Sequence, residues 1–376
     1  MSLLPKIHLI TLAAFPHVSA ESIHIAMFSR AMMKISDFTL VTPAKFWRPL
    51  TFFKSLKNYG MRGDEINQRK YMQFQKDGKG FIAKAIARAV SEHAIVYCRQ
   101  MVVAEAAVKA GLKVVLELHT LPDTRDLHTL NDMLMLGSIN LVVISSALKC
   151  DIKDLLECGN LSEYKIIVAP DAADGEKFYP GRRNGRSVSV GYIGSKYKGK
   201  GFEIILPLSR ACPKVRFEVY GIERSELTEI ESLSLPKNIC LHGRVPYSRV
   251  PELMHTFDIA LLPNQPSVIL KGGVDIGRYT SPMKMFEYMA SGKAIIASNL
   301  EIIKEVLVNN HNAILVAHDD IDEWKRAVAF LLENNDVMVG LGERARSDFM
   351  SKYTYDSRSA HIIHSLNLQS IISSRK

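Results

Sequence analysis

Thr280-Ser281-Pro282-Met283-Lys284-Met285-Phe286-Glu287-Tyr288-Met289-Ala290-Ser291-Gly292, followed by the apolar run Ala294–Ala297, reads as a bounded helix leading into a buried strand. Ser281 suits an N-cap, Pro282 the first helical position and Gly292 the end. A helix of about ten residues placed this way has free backbone N–H groups and a positive dipole end at its start, for which a diphosphate is the natural guest. Lys284 adds positive charge in the first turn, where a carboxylate would normally suit the dipole; a bound phosphate would explain it. Glu287, in the second turn, could accept two hydroxyl hydrogen bonds from a ribose. On these residues alone, Glu287 could equally be paired with a lysine and Lys284 simply solvated.

Outward from this segment the chain alternates short apolar runs with helical patterns, the signature of parallel α/β units. Lys6–Ala13, Phe38–Val41, His93–Tyr97, Lys113–Leu118, Leu141–Ile144 and Lys165–Val168 are expected strands of a first sheet. A polar, turn-rich stretch from Pro170 to Arg186 interrupts the rhythm and marks a boundary. The alternation resumes with strands at Ser187–Ile193, Val215–Tyr220, Ile239–Leu241, Ile259–Leu262, Ala294–Ala297 and Ala313–Val316, and helices at Phe202–Arg210, Pro282–Ser291 and Ile321–Glu333. The expected fold is therefore α/β, with two Rossmann-like, doubly wound parallel-sheet domains facing a cleft, one over 1–172 and one over 187–354. A C-terminal helix at about 355–376 is expected to pack back on the first. In such sheets ligands bind beyond the carboxyl ends of the strands.

A second informative segment is Val190-Gly191-Tyr192-Ile193-Gly194-Ser195-Lys196-Tyr197-Lys198-Gly199-Lys200-Gly201-Phe202. Strand, glycine-rich turn and helix follow one another, and three lysines make the turn cationic. The spacing is not that of a P-loop or a dinucleotide fingerprint, which argues against a nicotinamide dehydrogenase. A surface turn with solvated lysines remains an alternative on these residues alone.

Together the two segments resemble family 4 glycosyltransferases, which have the GT-B fold. Gly194 with Lys200-Gly201 matches one family motif, and Lys284, Glu287, Tyr288, Met289, Ala290 and Gly292 match a second. Asp171 to Phe178 and Pro180, His242 to Pro246, Glu305 to Leu307 and Asn312 to Val316 follow in the family's order. The likeness is close over 165–366 and loose before it. It implies a retaining enzyme that uses a nucleotide diphosphate sugar, with Gly194, Ser195, Lys196, Lys200, Arg244, Val245, Ser281, Pro282, Met283, Lys284 and Glu287 at the donor. Lys200 would bind the diphosphate, Glu287 the ribose, and the main chain around Arg244 and Val245 the base. His119, closing Glu117-Leu118-His119, would join Lys200 and Glu287 in catalysis. His17, Ser19 and His24 stand where the family contacts its acceptor. Two departures are Ser195, where the family has arginine, and Tyr279, where it often has a glutamate on the donor sugar; nearby Asp275 is a candidate replacement. The resemblance implies no cofactor or metal.

The 376 residues are 47% hydrophobic and 23% charged, which excludes a disordered or fibrous chain. The five cysteines show neither a disulfide framework nor a zinc spacing, which suits a reducing cytoplasm. Lys6, Ile7–Phe15 and Val18-Ser19-Ala20 could be taken for a signal peptide, but a buried strand followed by a helix capped by Ser19 is preferred. The net charge of +9 is concentrated in residues 45–88, where eleven basic side chains face three acidic ones, a net of +8, among eight aromatic residues. That mixture suits an anionic membrane surface or a lipid-linked acceptor; nucleic acid is not expected. The resulting expectation is a cytoplasmic enzyme, peripheral on the inner face of the membrane, acting on a lipid-linked or surface-glycan acceptor such as lipopolysaccharide or capsule. A sugar-nucleotide epimerase of the same fold and a two-lobed periplasmic solute-binding protein are the alternatives.

Overall fold

The computed structural model describes residues 4–44, 56–72, 78–136, 139–156, 166–181, 187–223, 225–227, 234–269 and 273–368. Two compact units divide the chain: Met1–Pro170 together with Tyr355–Lys376, and Asp171–Thr354.

The first unit is a parallel sheet of β1 (Lys6–Ile10), β2 (Asp37–Ala44), β3 (Gln68–Met72), β4 (Ile95–Cys98), β5 (Val114–Leu118), β6 (Ile139–Val143) and β7 (Ile166–Val168), in the order β3-β2-β1-β4-β5-β6-β7. Its helices are α1 (Ala20–Met33), α2 (Lys79–Ser91), α3 (Met101–Lys109), α4 (Thr124–Met135) and α5 (Ser146–Leu155). Ser19 caps α1 by accepting from the Ser22 N–H, as its position implies. The run read as a strand in preference to a signal peptide is β1, which lies between β2 and β4. Inner strands such as β4 are buried at every position and therefore read as continuous apolar runs.

One strand escapes that logic. Among the described residues Gln68–Met72 pairs only with β2, and it carries Arg69 and Lys70, so it has no apolar run to betray it. An edge strand needs no fully buried pattern, and its charges discourage pairing with another chain. Beside it, Glu92 at the end of α2 gathers Arg69 at 2.6 Å, His8 at 3.0 Å, Lys6 at 3.6 Å and Arg88. Burial would raise the Glu92 carboxyl, but the hydrogen bond and charge of Arg69, with His8 and Lys6 adding to them, hold it at about 2.

The second unit repeats the pattern with β8 (Ser189–Ile193), β9 (Arg216–Ile222), β10 (Ile239–Gly243), β11 (Ile259–Leu262), β12 (Ala294–Ser298) and β13 (Ile314–Val316), ordered β10-β9-β8-β11-β12-β13 and again parallel. Its main helices are α6 (Phe202–Ala211), α7 (Met283–Ala290), α8 (Ile321–Glu333) and α9 (Asn335–Lys352). Trp324, Phe217, Ile259 and Ile296 lie in its core between sheet and helices. The chain enters and leaves this unit side by side, since Ala173 bridges Thr354 and donates to the Tyr353 carbonyl. It then forms α10 (Tyr355–Ser365), which belongs to the first unit. In both sheets the strand order reverses at one point, between β1 and β4 and between β8 and β11, and loops beyond such a reversal are where ligands bind.

Candidate functional site

The reversal point of the second unit carries the glycine-rich segment. Lys200 stands between two left-handed glycines, Gly199 at φ +91° and Gly201 at φ +78°. A Cβ on Gly201 would lie 1.7 Å from the Pro263 carbonyl oxygen, and one on Gly199 would lie 2.2 Å from that of Ser267. Only glycine lets this loop press against the segment after β11, and that contact fixes where Lys200 projects. The Tyr192 hydroxyl lies 3.0 Å from the Ser195 carbonyl and 3.2 Å from that of Lys200, closing the loop from beneath. Burial lowers the Lys200 pKa, opposed by the Asp171 carboxylate. Such a poorly solvated ammonium interacts strongly with any anion that reaches it.

Asp171 also joins this loop to the helix that opened the sequence reading. Its backbone N–H donates to Ser281 Oγ at 3.0 Å. The expected N-cap role of Ser281 is therefore corrected: its hydroxyl is spent on Asp171, Pro282 occupies the cap position without a side-chain hydrogen bond, and α7 begins at Met283. The Met285 N–H donates to the Pro282 carbonyl at 2.9 Å, and with no side-chain cap the N–H groups of Met283 and Lys284 stay available to an anion.

Within α7, Glu287 is 0% exposed. Its Oε2 accepts from Lys284 Nζ at 2.6 Å, whereas Oε1 is buried with no hydrogen-bond partner. Lys284 Nζ also lies 5.9 Å from the centre of the Tyr247 ring. A buried carboxylate oxygen lacking a donor is costly unless a ligand supplies one. Tyr288 sets the helix's register against the sheet, its hydroxyl accepting from the Ile193 N–H at 2.9 Å. Arg346 secures the other end by donating to the carbonyls of Ala290 and, at 2.6 Å, of Phe178. Neither Tyr288 nor Arg346 was singled out as a positioning group, because each acts across a long sequence separation.

The remaining donor-side residues are more exposed. Gly194 continues from β8 and donates to the Tyr220 carbonyl at 2.9 Å; Ser195 is exposed and Lys196 half-buried. Arg244 follows β10 and pairs with Glu223 at 2.7 Å, with Val245 half-buried beside it. Asp275 belongs to its own loop: Oδ1 accepts from the Val268 and Gly277 N–H groups, both at 2.8 Å. The Ser267 hydroxyl, with those N–H groups, lowers its pKa. That occupation argues against Asp275 as a sugar-binding replacement at Tyr279, which is itself buried.

In the first unit, the end of β5 presents a second cluster. Glu117 is 1% exposed, and its Oε1 meets His119 Nε2 at 2.6 Å and His24 Nε2 at 3.4 Å. Its Oε2 accepts from the Tyr97 hydroxyl and pairs with Arg358 Nη2 at 3.0 Å. Thus His119 and His24, assigned to different roles from sequence, share one carboxylate. His17 and Ser19 instead organise the turn before α1: the His17 N–H donates to Tyr59 Oη at 2.7 Å, and His17 Nδ1 accepts from the Ser19 N–H at 3.2 Å. Among the described residues no group of three His, Cys, Asp or Glu side chains is placed to hold a metal ion.

Residues 180–348 match the family model described as glycosyl transferases group 1. An uncharacterised glycosyltransferase of Methanocaldococcus jannaschii is 27% identical over 175 residues, which cover 45% of this chain and 42% of that protein, so the match spans less than half of the relative. Among solved structures, Anabaena HepE in complex with UDP superposes with a TM-score of 0.73 at 15% identity, covering 96% of this chain and 99% of that one. A glycosyltransferase from Rickettsia africae gives 0.72 at 17% identity, covering 99% and 100%. These likenesses establish the GT-B fold.

Proposed function

With its second unit matching the group 1 glycosyl transferases, we propose that this chain is a retaining glycosyltransferase of family 4. It would move a sugar from a nucleotide diphosphate to a lipid-linked or surface-glycan acceptor. The observation that carries the reading is the buried, unpartnered Oε1 of Glu287 beside the uncapped start of α7. A ribose hydroxyl supplies the missing donor, while Lys200, Lys284 and the first-turn N–H groups receive the diphosphate.

The bond from the sugar's anomeric carbon to the diphosphate breaks, and its electron pair leaves with the phosphate. Lys200 and the α7 dipole stabilise that developing charge without reorganising. The acceptor hydroxyl attacks on the face the phosphate leaves and gives its proton to a phosphate oxygen, which retains configuration. Arg244 and Val245 border the base, and His119 assists at the sugar. No metal is required in this scheme, since lysines and N–H dipoles carry the charge.

HepE was solved with UDP, so uridine is the first base to try. In a thermal-shift and hydrolysis screen of uridine, guanosine and cytidine diphosphate sugars in EDTA, one nucleotide is expected to raise Tm and to be turned over. Silence toward all three, or release of an isomerised sugar nucleotide in place of a transferred sugar, would refute the proposal.

The acceptor side is proposed to face an anionic membrane. Residues 45–55 and 73–77 of the basic window lie outside the described residues. Within the described part, Arg69, Tyr71, Lys84 and Arg88 line a surface hollow beside the Glu92 cluster. Cation and aromatic ring together suit a lipid phosphate at an interface. No described helix is long and apolar enough to cross a membrane, so attachment would be peripheral. In flotation with phosphatidylglycerol vesicles, Lys84→Glu combined with Arg88→Glu is expected to cut recovery several-fold. Equal recovery on neutral and anionic vesicles would count against the membrane reading.

A further inference from the structure

Glu117 is enclosed by donors from four separate places in the first unit. His24 comes from α1, Tyr97 from β4, His119 from the turn after β5, and Arg358 from α10, nearly 240 residues further along the chain. Arg358 is 3% exposed and does not serve Glu117 alone. Its Nε donates to the Pro170 carbonyl at 2.8 Å and its Nη2 to that of Ala169 at 3.2 Å, so the guanidinium is fixed against the chain that leaves β7. It also lies 5.2 Å from the centre of the Phe28 ring.

We propose that Arg358 is a positioning residue for transfer: the C-terminal helix delivers it to Glu117 Oε2 so that Oε1 orients the His119 imidazole. The inference rests on the reading of His119 as a participant in the reaction. Burial by itself would raise the Glu117 carboxyl, but Arg358, with hydrogen bonds from His119 and His24, holds it well below its usual range. An ionised carboxylate only accepts hydrogen bonds, so Nε2 of His119 carries the hydrogen in the 2.6 Å contact and Nδ1 is the ring's other polar face. Without Arg358 the buried carboxyl takes up a proton, becomes a donor and no longer imposes that orientation.

The test is a ¹⁵N-histidine spectrum of the full chain, with wild type, Arg358→Gln, Arg358→Lys and Glu117→Gln compared, alongside turnover of UDP-glucose. The His119 Nε2–H resonance is expected in wild type, lost or displaced in Arg358→Gln and Glu117→Gln, and largely restored in Arg358→Lys. For Arg358→Gln, kcat should fall about 10- to 100-fold with KM for UDP-glucose nearly unchanged, the size expected when a reacting group loses its alignment. If Arg358→Gln does not fold, Tyr97→Phe removes a single hydroxyl from the same Oε2 and should move the same resonance. An unchanged His119 resonance in these variants overturns the coupling. The spectrum needs no donor, so it decides that point even if UDP-glucose is not turned over. Wild-type kcat in His119→Ala would instead overturn the participation of His119, which separates the two failures.

Discussion

Glu287→Gln is expected to lower kcat/KM for the preferred nucleotide sugar by roughly 100-fold or more, with Tm held within a few degrees. Glutamine keeps the volume of a fully buried side chain, so the packing of α7 beneath it is preserved. What changes is the chemistry at Oε1, the atom with no partner in the protein. A carboxylate offers only acceptors to two ribose hydroxyls, whereas an amide offers one acceptor and one donor. Hydrogen bonds to charged groups are worth about 1.5–3 kcal/mol each, and two of them weakened together account for the loss. Lys284, partly exposed, can turn to solvent once its partner is neutral. Steady-state kinetics and a melting curve on the same preparation check both halves. Activity within threefold of wild type would remove Glu287 from the donor site.

Lys200→Met should be equally damaging to turnover and should act on stability in the opposite sense. Removing one preorganised charge donor from a reacting centre costs about 3–4 kcal/mol, or 100- to 1,000-fold in kcat. Burial lowers the Lys200 pKa, which means that the folded state holds the charged amine at a cost. Methionine follows nearly the same path through the loop without that cost, so Tm is expected to hold or rise. A fall in both activity and Tm would show Lys200 to be chiefly a structural partner of Asp171. A rise in Tm with activity retained would show that the ammonium serves neither purpose.

How far the chain could be read from its residues follows from what each element depends on. The six strands of the second sheet and its principal helices were legible because each inner strand is buried on both faces and each helix carries an apolar stripe. The edge strand Gln68–Met72 was not legible: with β2 as its one neighbour among the described residues, it has no need of apolar residues on both faces. Lys200, Lys284 and Glu287 stood out because a helix start and a glycine-rich turn are local structures with local signatures.

Sequence by itself determined the α/β alternation, the pairing of a cationic glycine turn with a helix start, and the concentration of positive charge in residues 45–88. Tertiary structure alone decided how Ser281 spends its hydroxyl, that Glu287 keeps one oxygen unpartnered, that Asp275 closes its own loop, and that His24, His119 and Arg358 meet on Glu117. The physical reason is range. Caps, periodicity and turn chemistry are settled among residues a few positions apart, but the partner of a buried polar atom is whichever group the fold brings within about 3 Å of it, however distant along the chain.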